Sequence, residues 1–531
     1  MAWSWEFPYA SRRSPVIARN VVATSQPLAA QAGLFALREG GNAVDAALTA
    51  AIALTVVEPC SNGLGSDLFA IVWDGNDLLG LNGSGRSPRG WSLDYFKQRG
   101  MDDGDYAYGW DTVTVPGAVA AWSDLSERLG SLPFERLFVP AIEYAKRGFA
   151  VSPLVRERWQ QEVESYKGSP SFAQQFLPDG KVPQVGENFR PPHVAETLGS
   201  IAASRGESFY RGDLARKIVA DAKRNNAAMS EADLAAHSSE WVSPISISYG
   251  DVELFELPPN GQGIAALLAL GMLKQYGLTQ HPVDSADSVH CQIEAMKLAF
   301  KDTYAEVADP AYMRVSTADQ LLPQRLSRLS KCIDLQAAAP IHGTRAHDGG
   351  TVYLSCADKS GMMVSLIQSN YWGFGSGIVV PDTGISLQNR GVGFVFDPDH
   401  PNCVAGGKRP FHTIIPGFVM RGGKPLLSFG VMGGHMQAQG HVQIVNRIFD
   451  YLQNPQAACD APRWQLDKDL RVMLEAGTHP QVYEELKKRG HTFSDQQPQF
   501  GYGGAQLVYQ LDDGVYCAAS DPRKDGQAVG F

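Results

Sequence analysis

Asp348-Gly349-Gly350-Thr351-Val352-Tyr353-Leu354-Ser355 sets a turn-prone run of small residues directly before a threonine that opens an alternating polar and apolar stretch. A threonine hydroxyl is a poor nucleophile, but one carrying its own free α-amine has a base attached to the same residue. That amine, with an unperturbed pKa of about 7.7–8.0, accepts a proton near neutral pH. Freeing it requires cutting the Gly350-Thr351 bond. The stretch therefore raises the expectation of a precursor that cleaves itself into residues 1–350 and 351–531.

Downstream, Thr351 to Ala357 reads as a strand, Asp358-Lys359-Ser360-Gly361 as a hairpin turn and Met362 to Ser369 as the returning strand. If the two pair, Ser369 lies near Thr351, where its hydroxyl either polarises the nucleophile or satisfies a strand end. Gly430-Val431-Met432-Gly433-Gly434-His435 precedes a predicted helix from about Met436 to Tyr451. Backbone N–H groups at such an entry suit an oxyanion, and the competing reading is an ordinary helix start.

Upstream, residues 321–350 read as a weakly structured linker, and 115–320 as helix-rich. Val21-Val22-Ala23-Thr24 is a short strand, Pro27 to about Arg38 a helix, and Asn42 caps a second helix that Glu58-Pro59 stops. Ser61 to Asp67 forms a tight loop before the strand Leu68 to Trp73.

At 531 residues, with 44% hydrophobic and 19% charged side chains, the chain reads as an ordinary globular protein too long for one simple core. Its net charge of −10 argues against a nucleic-acid partner. The N-terminal Met1 to Arg13 lacks the basic start and apolar run of a signal peptide, and Ala43 to Val57 is too short and too interrupted to span a bilayer. No membrane association is expected. Seven widely spaced cysteines without a CxxC pair fit a reduced, cytoplasmic setting.

No GxSxG elbow, GxGxxG, Walker loop or HExxH is present, and Ser376 in Gly375-Ser376-Gly377 lacks the elbow spacing. His290 and Glu294 share one helix face at i and i+4, a conceivable metal pair, but no second ligand cluster completes it. Neither a metal nor a cofactor is expected. Thr351 remains the best nucleophile candidate.

Gly40-Gly41-Asn42-Ala43-Val44-Asp45-Ala46-Ala47, Val57-Glu58-Pro59, Glu294 to Phe300, Gly350-Thr351, Phe374-Gly375-Ser376-Gly377, Lys408-Arg409-Pro410 and Ser520-Asp521-Pro522-Arg523 run in order along nearly the whole chain. Together they resemble the γ-glutamyltransferase (glutathione hydrolase) family. The resemblance implies an α+β fold, the four-layer αββα sandwich of N-terminal-nucleophile hydrolases, formed jointly by a large segment, 1–350, and a small one, 351–531. It implies that Thr351 is both the self-cleavage residue and the nucleophile, that Ser369 occupies the place of a supporting hydroxyl, and that Gly433 and Gly434 are the oxyanion-hole glycines. The expected partners are a small-molecule amide substrate and the two segments of one precursor, with a dimer of such pairs allowed.

The departures concern the substrate. The family's carboxylate-binding arginine falls on Ser84, with Arg86 two residues along. The acid that binds a substrate α-amine is missing from Gln388-Asn389-Arg390-Gly391-Val392-Gly393, where Arg390 appears instead, and two adjacent serines become His412 and Thr413. The segment Phe394 to Lys408 is short, so no covering lid is expected. Asn389, Arg390, His412, Thr413 and Arg86 are accordingly the candidate substrate-binding residues. An ammonium without an anionic partner binds poorly, whereas arginine forks match carboxylates. The expectation is hydrolysis, or acyl transfer, of a small carboxylate-bearing amide. The pattern is similar to the variant subgroup of glutathione hydrolase-like proteins, oxamate amidohydrolases and glutaryl or cephalosporin acylases. A γ-glutamyltransferase proper is one alternative; an unprocessed binding protein is another.

Overall fold

The structure, a computed structural model, describes residues 13–101, 106–166, 168–340, 349–498 and 501–531. The expected cleavage stretch is thus seen from Gly349 onward; Asp348 and the residues before it to 341, like the N-terminal residues 1–12, lie outside the described residues.

The predicted hairpin forms from Gly350–Ala357 and Met363–Tyr371, paired antiparallel with Leu354 opposite Leu366. Its turn is held by Asp358, whose Oδ1 accepts from the Ser360 N–H at 2.7 Å, while Gly361 takes φ 96°, a left-handed conformation that favours glycine. The other carboxylate oxygen of Asp358 accepts from the Ala43 N–H at 2.7 Å, so the turn also caps the helix Ala43–Val57.

Successive side chains on a strand point to opposite faces. Val352, Leu354 and Cys356 therefore join a core with the helix Ala43–Val57, and Tyr353 joins Phe418, Met432 and Val508 on the other side. Thr351 shares the parity of Tyr353 and Ser355, and the Ser355 hydroxyl donates to the Ser428 carbonyl at 3.2 Å. Gly430 is required there, because a Cβ would stand 2.4 Å from the Tyr353 ring.

Among the described residues there are two seven-stranded sheets. One runs Gln527–Gly530, Val21–Thr24, Gly350–Ala357, Met363–Tyr371, Asp67–Trp73, Leu78–Gly83, Glu240–Val242; the other runs Val16–Ala18, Tyr516–Ser520, Gly504–Gln510, Lys424–Met432, Gly417–Arg421, Val252–Glu256, Ile245–Tyr249. Every pairing is antiparallel. Helices Gly263–Leu273, Ala286–Glu306 and Met436–Val445 share a core with the second sheet, as Ala43–Val57 does with the first. Residues before and after Gly350 contribute strands to both sheets, so cutting that bond leaves the halves interlocked.

Most local readings match the observed elements: Val21–Thr24, Pro27–Arg38, Ala43–Val57 with an Asn42/Asp45 capping box, and Asp67–Trp73. Two are corrected. The stretch called a linker carries the helix Pro323–Ser330, whose amphipathic face buries Leu326, so only its later part remains a connection. The helix predicted to about Tyr451 is α-helical over Met436–Val445 and continues as a π-turn over Asn446–Asp450. No helix among the described residues is long and apolar enough to cross a membrane, and all seven cysteines are free.

Candidate active site

The register places Gly350 opposite Tyr371 and slips by one residue before Val352 meets Gln368. That irregularity turns the Thr351 side chain toward the end of the neighbouring strand. Its Oγ donates to the Gly350 carbonyl at 2.7 Å and lies 3.3 Å from the Ser369 Oγ. Ser369 also donates to the Gly350 carbonyl at 2.7 Å and accepts from the Tyr371 N–H at 2.7 Å. Two hydroxyls thus converge on one carbonyl in a water-poor pocket, Thr351 being 1% exposed and Ser369 fully buried.

The strand Lys424–Met432 delivers Gly433 to the cavity wall that Thr351, Gly349, Gly350, Cys60 and Ser61 also line, with Gly434 next in the chain. With φ of 117° and 57°, both positions favour glycine. Among the described residues neither N–H donates a hydrogen bond, while both carbonyls accept from the start of the next helix, Met436 N at 2.9 Å and Gln437 N at 3.3 Å. The Gln262 amide ties the loop down, donating to the Gly434 carbonyl at 2.9 Å and to the Thr413 carbonyl at 2.6 Å.

Arg390, His412 and Thr413 form a second group, coupled to the first through Asp67, which faces Ser369 across the sheet. Arg390 is 1% exposed, lies over the Tyr371 ring at 4.5 Å and donates from Nη1 to the Thr413 Oγ at 2.8 Å. Among the described residues, its Nε and Nη2 have no hydrogen-bond partner. Burial lowers it to about 10, with Asp67 opposing, so it stays cationic at neutral pH. His412 Nδ1 accepts from the Ile414 N–H at 3.3 Å, which leaves the proton on Nε2, donated to Asp67 Oδ2 at 3.0 Å. Burial and the nearby Arg390 hold His412 well below its ordinary value, and it is neutral.

Asn389 uses both ends of its amide on the loop, donating to the Ala107 carbonyl at 3.0 Å and accepting from the Trp372 N–H at 3.2 Å. Arg86 stands apart. Its half-exposed guanidinium pairs with Asp309 at 2.8 Å and lines a separate cavity with Arg409 and His237. Ser84, at the place of the family's arginine, donates to Asn82 Oδ1 at 2.7 Å. At Gly393, where an acid is missing, a Cβ would meet the Phe411 carbonyl at 2.5 Å, so the observed backbone has no room for an acidic side chain.

Sequence reasoning missed three contributors. In sequence Asp67 is only the end of a loop, Gln437 an ordinary helix residue, and Lys524, which lines the Thr351 cavity with Arg158, carries no signal of its own. No local pattern marks any of them, because each reaches the site from a distant part of the chain.

The His290/Glu294 pair does acquire a third neighbour, His491, whose Nε2 lies 2.7 Å from His290 Nδ1, and the three ligand atoms fall within 4.8 Å. The Lys297 ammonium, 2.8 Å from Glu294 and 3.4 Å from His491 Nδ1, already holds the cation's place. Glu294 also accepts from the Ala339 N–H at 2.8 Å, and His290 Nε2 meets the Asp334 carbonyl at 2.8 Å. The cluster fastens the chain just ahead of the expected cleavage stretch.

A family model described as Gamma-glutamyltranspeptidase matches residues 29–531. A glutathione hydrolase-like YwrD proenzyme of Bacillus subtilis is 35% identical, the match covering 98% of this chain and 100% of that one. An oxamate amidohydrolase proenzyme of Klebsiella pneumoniae is 33% identical over 98% and 99%. Among solved structures, a cephalosporin acylase from Bacillus halodurans superposes with a TM-score of 0.95 at 44% identity, covering 100% of this chain and 99% of that one.

Proposed function

The chain belongs to the gamma-glutamyltranspeptidase family, whose members are self-cleaving amidohydrolases and acyltransferases, and we propose that Thr351 is its nucleophile, working on a small amide whose acyl part carries a carboxylate. The two helix-covered sheets are read as the four-layer αββα sandwich of N-terminal-nucleophile hydrolases. In the precursor, Thr351 Oγ attacks the Gly350 carbonyl, polarised by Ser369; the Gly350–Thr351 C–N bond breaks as the hydroxyl proton passes to the departing Thr351 amine, and water then hydrolyses the Gly350 ester to release Thr351 Oγ and the Gly350 carboxylate. In the mature protein that amine takes the hydroxyl proton as Oγ attacks the substrate carbonyl, and the N–H groups of Gly433 and Gly434 receive the oxyanion. An acyl-enzyme forms and water releases the acid; an amine acceptor would make the step a transfer. A cytoplasmic location, supported by the seven unpaired cysteines, belongs to the same reading.

One observation carries the substrate class: a fully buried arginine, Arg390, with half its fork unpartnered. A buried guanidinium with idle donors is costly, and a substrate carboxylate relieves that cost bidentately. Gly393 leaves no acid for an α-ammonium, which would also face the Arg390 charge. Arg390 therefore replaces Arg86 as the preferred anchor.

Side-by-side turnover of a glutaryl anilide, oxamate and a γ-glutamyl anilide tests this. The compounds with a carboxylate and no α-amine are expected to lead. A γ-glutamyl compound fastest by a wide margin would overturn the specificity and return the chain to the glutathione-hydrolase reading.

A further inference from the structure

Resting on Thr351 as nucleophile, we propose that Gln437 is a further catalytic residue: its side-chain N–H holds the Thr351 Oγ as that oxygen leaves the acyl-enzyme.

Gln437 is the second residue of the helix Met436–Val445 and is fully buried. Its amide orientation is fixed independently of Thr351. The Ile415 N–H donates to Oε1 at 2.9 Å, so the opposite atom is Nε2, which donates to the Thr351 Oγ at 3.4 Å. The hydroxyl proton of Thr351 is directed elsewhere, to the Gly350 carbonyl at 2.7 Å. Gln437 therefore meets a lone pair of Oγ.

An amide N–H cannot accept a proton, so Gln437 is no base. It favours states in which Oγ is more negative than a hydroxyl. The resting bond is long, at the outer edge of the hydrogen-bonding range, whereas charge-assisted bonds tighten to about 2.7–2.9 Å. An interaction that strengthens only as charge develops lowers the barrier rather than the ground state.

That charge develops when the ester breaks. Water adds its oxygen to the acyl carbon and gives a proton to the Thr351 α-amine. The carbon–Oγ bond then breaks, its electron pair goes to Oγ, and the α-ammonium returns the proton there. Acid is released and Thr351 regenerated, with atoms and charges balanced. Hydrolysis of the Gly350 ester during self-cleavage ends in the same departure of Oγ, so one donor serves both reactions.

The test uses Gln437→Met, which removes the donor toward Oγ at similar volume, with Gln437→Glu, which keeps an acceptor for Ile415, as the second variant. Rapid-mixing kinetics with a glutaryl anilide, and intact mass of the small segment during turnover, separate acylation from its reversal. The expected result is a steady-state rate reduced about ten- to hundredfold, the worth of one hydrogen bond to a charged group, a stoichiometric burst of anilide and an acyl adduct accumulating on residues 351–531. Where a variant precursor splits too slowly to assay, hydroxylamine should release residues 1–350 from a stalled ester. Equal losses in burst and steady-state rates, unchanged kinetics, or an unsplit precursor that hydroxylamine leaves intact would overturn the proposal. A wild-type protein that never forms an adduct on Thr351 would instead sink the nucleophile assignment beneath it.

Discussion

The Ser369 hydroxyl donates to the Gly350 carbonyl at 2.7 Å, the same oxygen that the Thr351 hydroxyl reaches at 2.7 Å. The carbonyl proposed as the target of self-cleavage is therefore already polarised by a residue other than Thr351, and the Tyr371 N–H fixes the direction of the Ser369 hydroxyl by donating to it.

Ser369→Ala should slow splitting of the 57.5 kDa chain after Gly350 by about a hundred- to thousandfold, the scale of one lost donor on a developing oxyanion. A denaturing-gel time course reads this directly. Thr351→Ala should abolish the split. Wild-type splitting speed in Ser369→Ala would reduce that hydroxyl to a strand-end contact.

Arg390→Lys keeps the charge but loses the planar fork, so KM for a glutaryl amide should rise about tenfold or more, in line with about 1.5–3 kcal/mol for a charged hydrogen bond. Arg86→Ala, outside the Thr351 cavity, should leave KM unchanged. The reverse pattern would restore Arg86 as the anchor.

Burial pushes Asp67 up to about 7 against the pull of Arg390. The folded value lies above the unfolded one of 3.8, so the native state holds the proton more tightly between the two. Asp67's contribution to stability is then complete below about pH 4 and is lost as pH rises through about 7. Urea midpoints of wild type minus Asp67→Asn should fall over that window; parallel curves would show that Asp67 does not titrate there.

The Glu294–Lys297 pair, 2.8 Å apart with side chains 1% and 4% exposed, should show the asymmetry of buried ion pairs. Lys297→Met strands a buried carboxylate and should cost about 3–5 kcal/mol, whereas Glu294→Gln with Lys297→Met should recover most of it. Urea unfolding distinguishes the two. If the double variant is as weak as the single, the cluster contributes more than charge balance.

Much of the local architecture was legible because its causes are local. Asn42 caps, Pro27 opens a helix, Gly361 closes a hairpin, and alternation marks the strand after Thr351; each of these signals acts within a few residues. The helix Pro323–Ser330 escaped because a short amphipathic turn among alanines and prolines differs little in composition from a linker.

By itself the sequence determined the family, the order of the elements and the threonine proposed as nucleophile, since a hydroxyl directly after a glycine and a run of ordered motifs are properties of the chain. Tertiary structure alone decided what surrounds that hydroxyl. Asp67, Arg390, His412, Gln437 and Lys524 come from distant strands and loops, and only the stacking of two sheets brings their groups together. It also sets apart two arginines that the sequence offered together as candidates. Burial removes water from Arg390 and leaves its donors seeking an anion, while Arg86 keeps both solvent and Asp309.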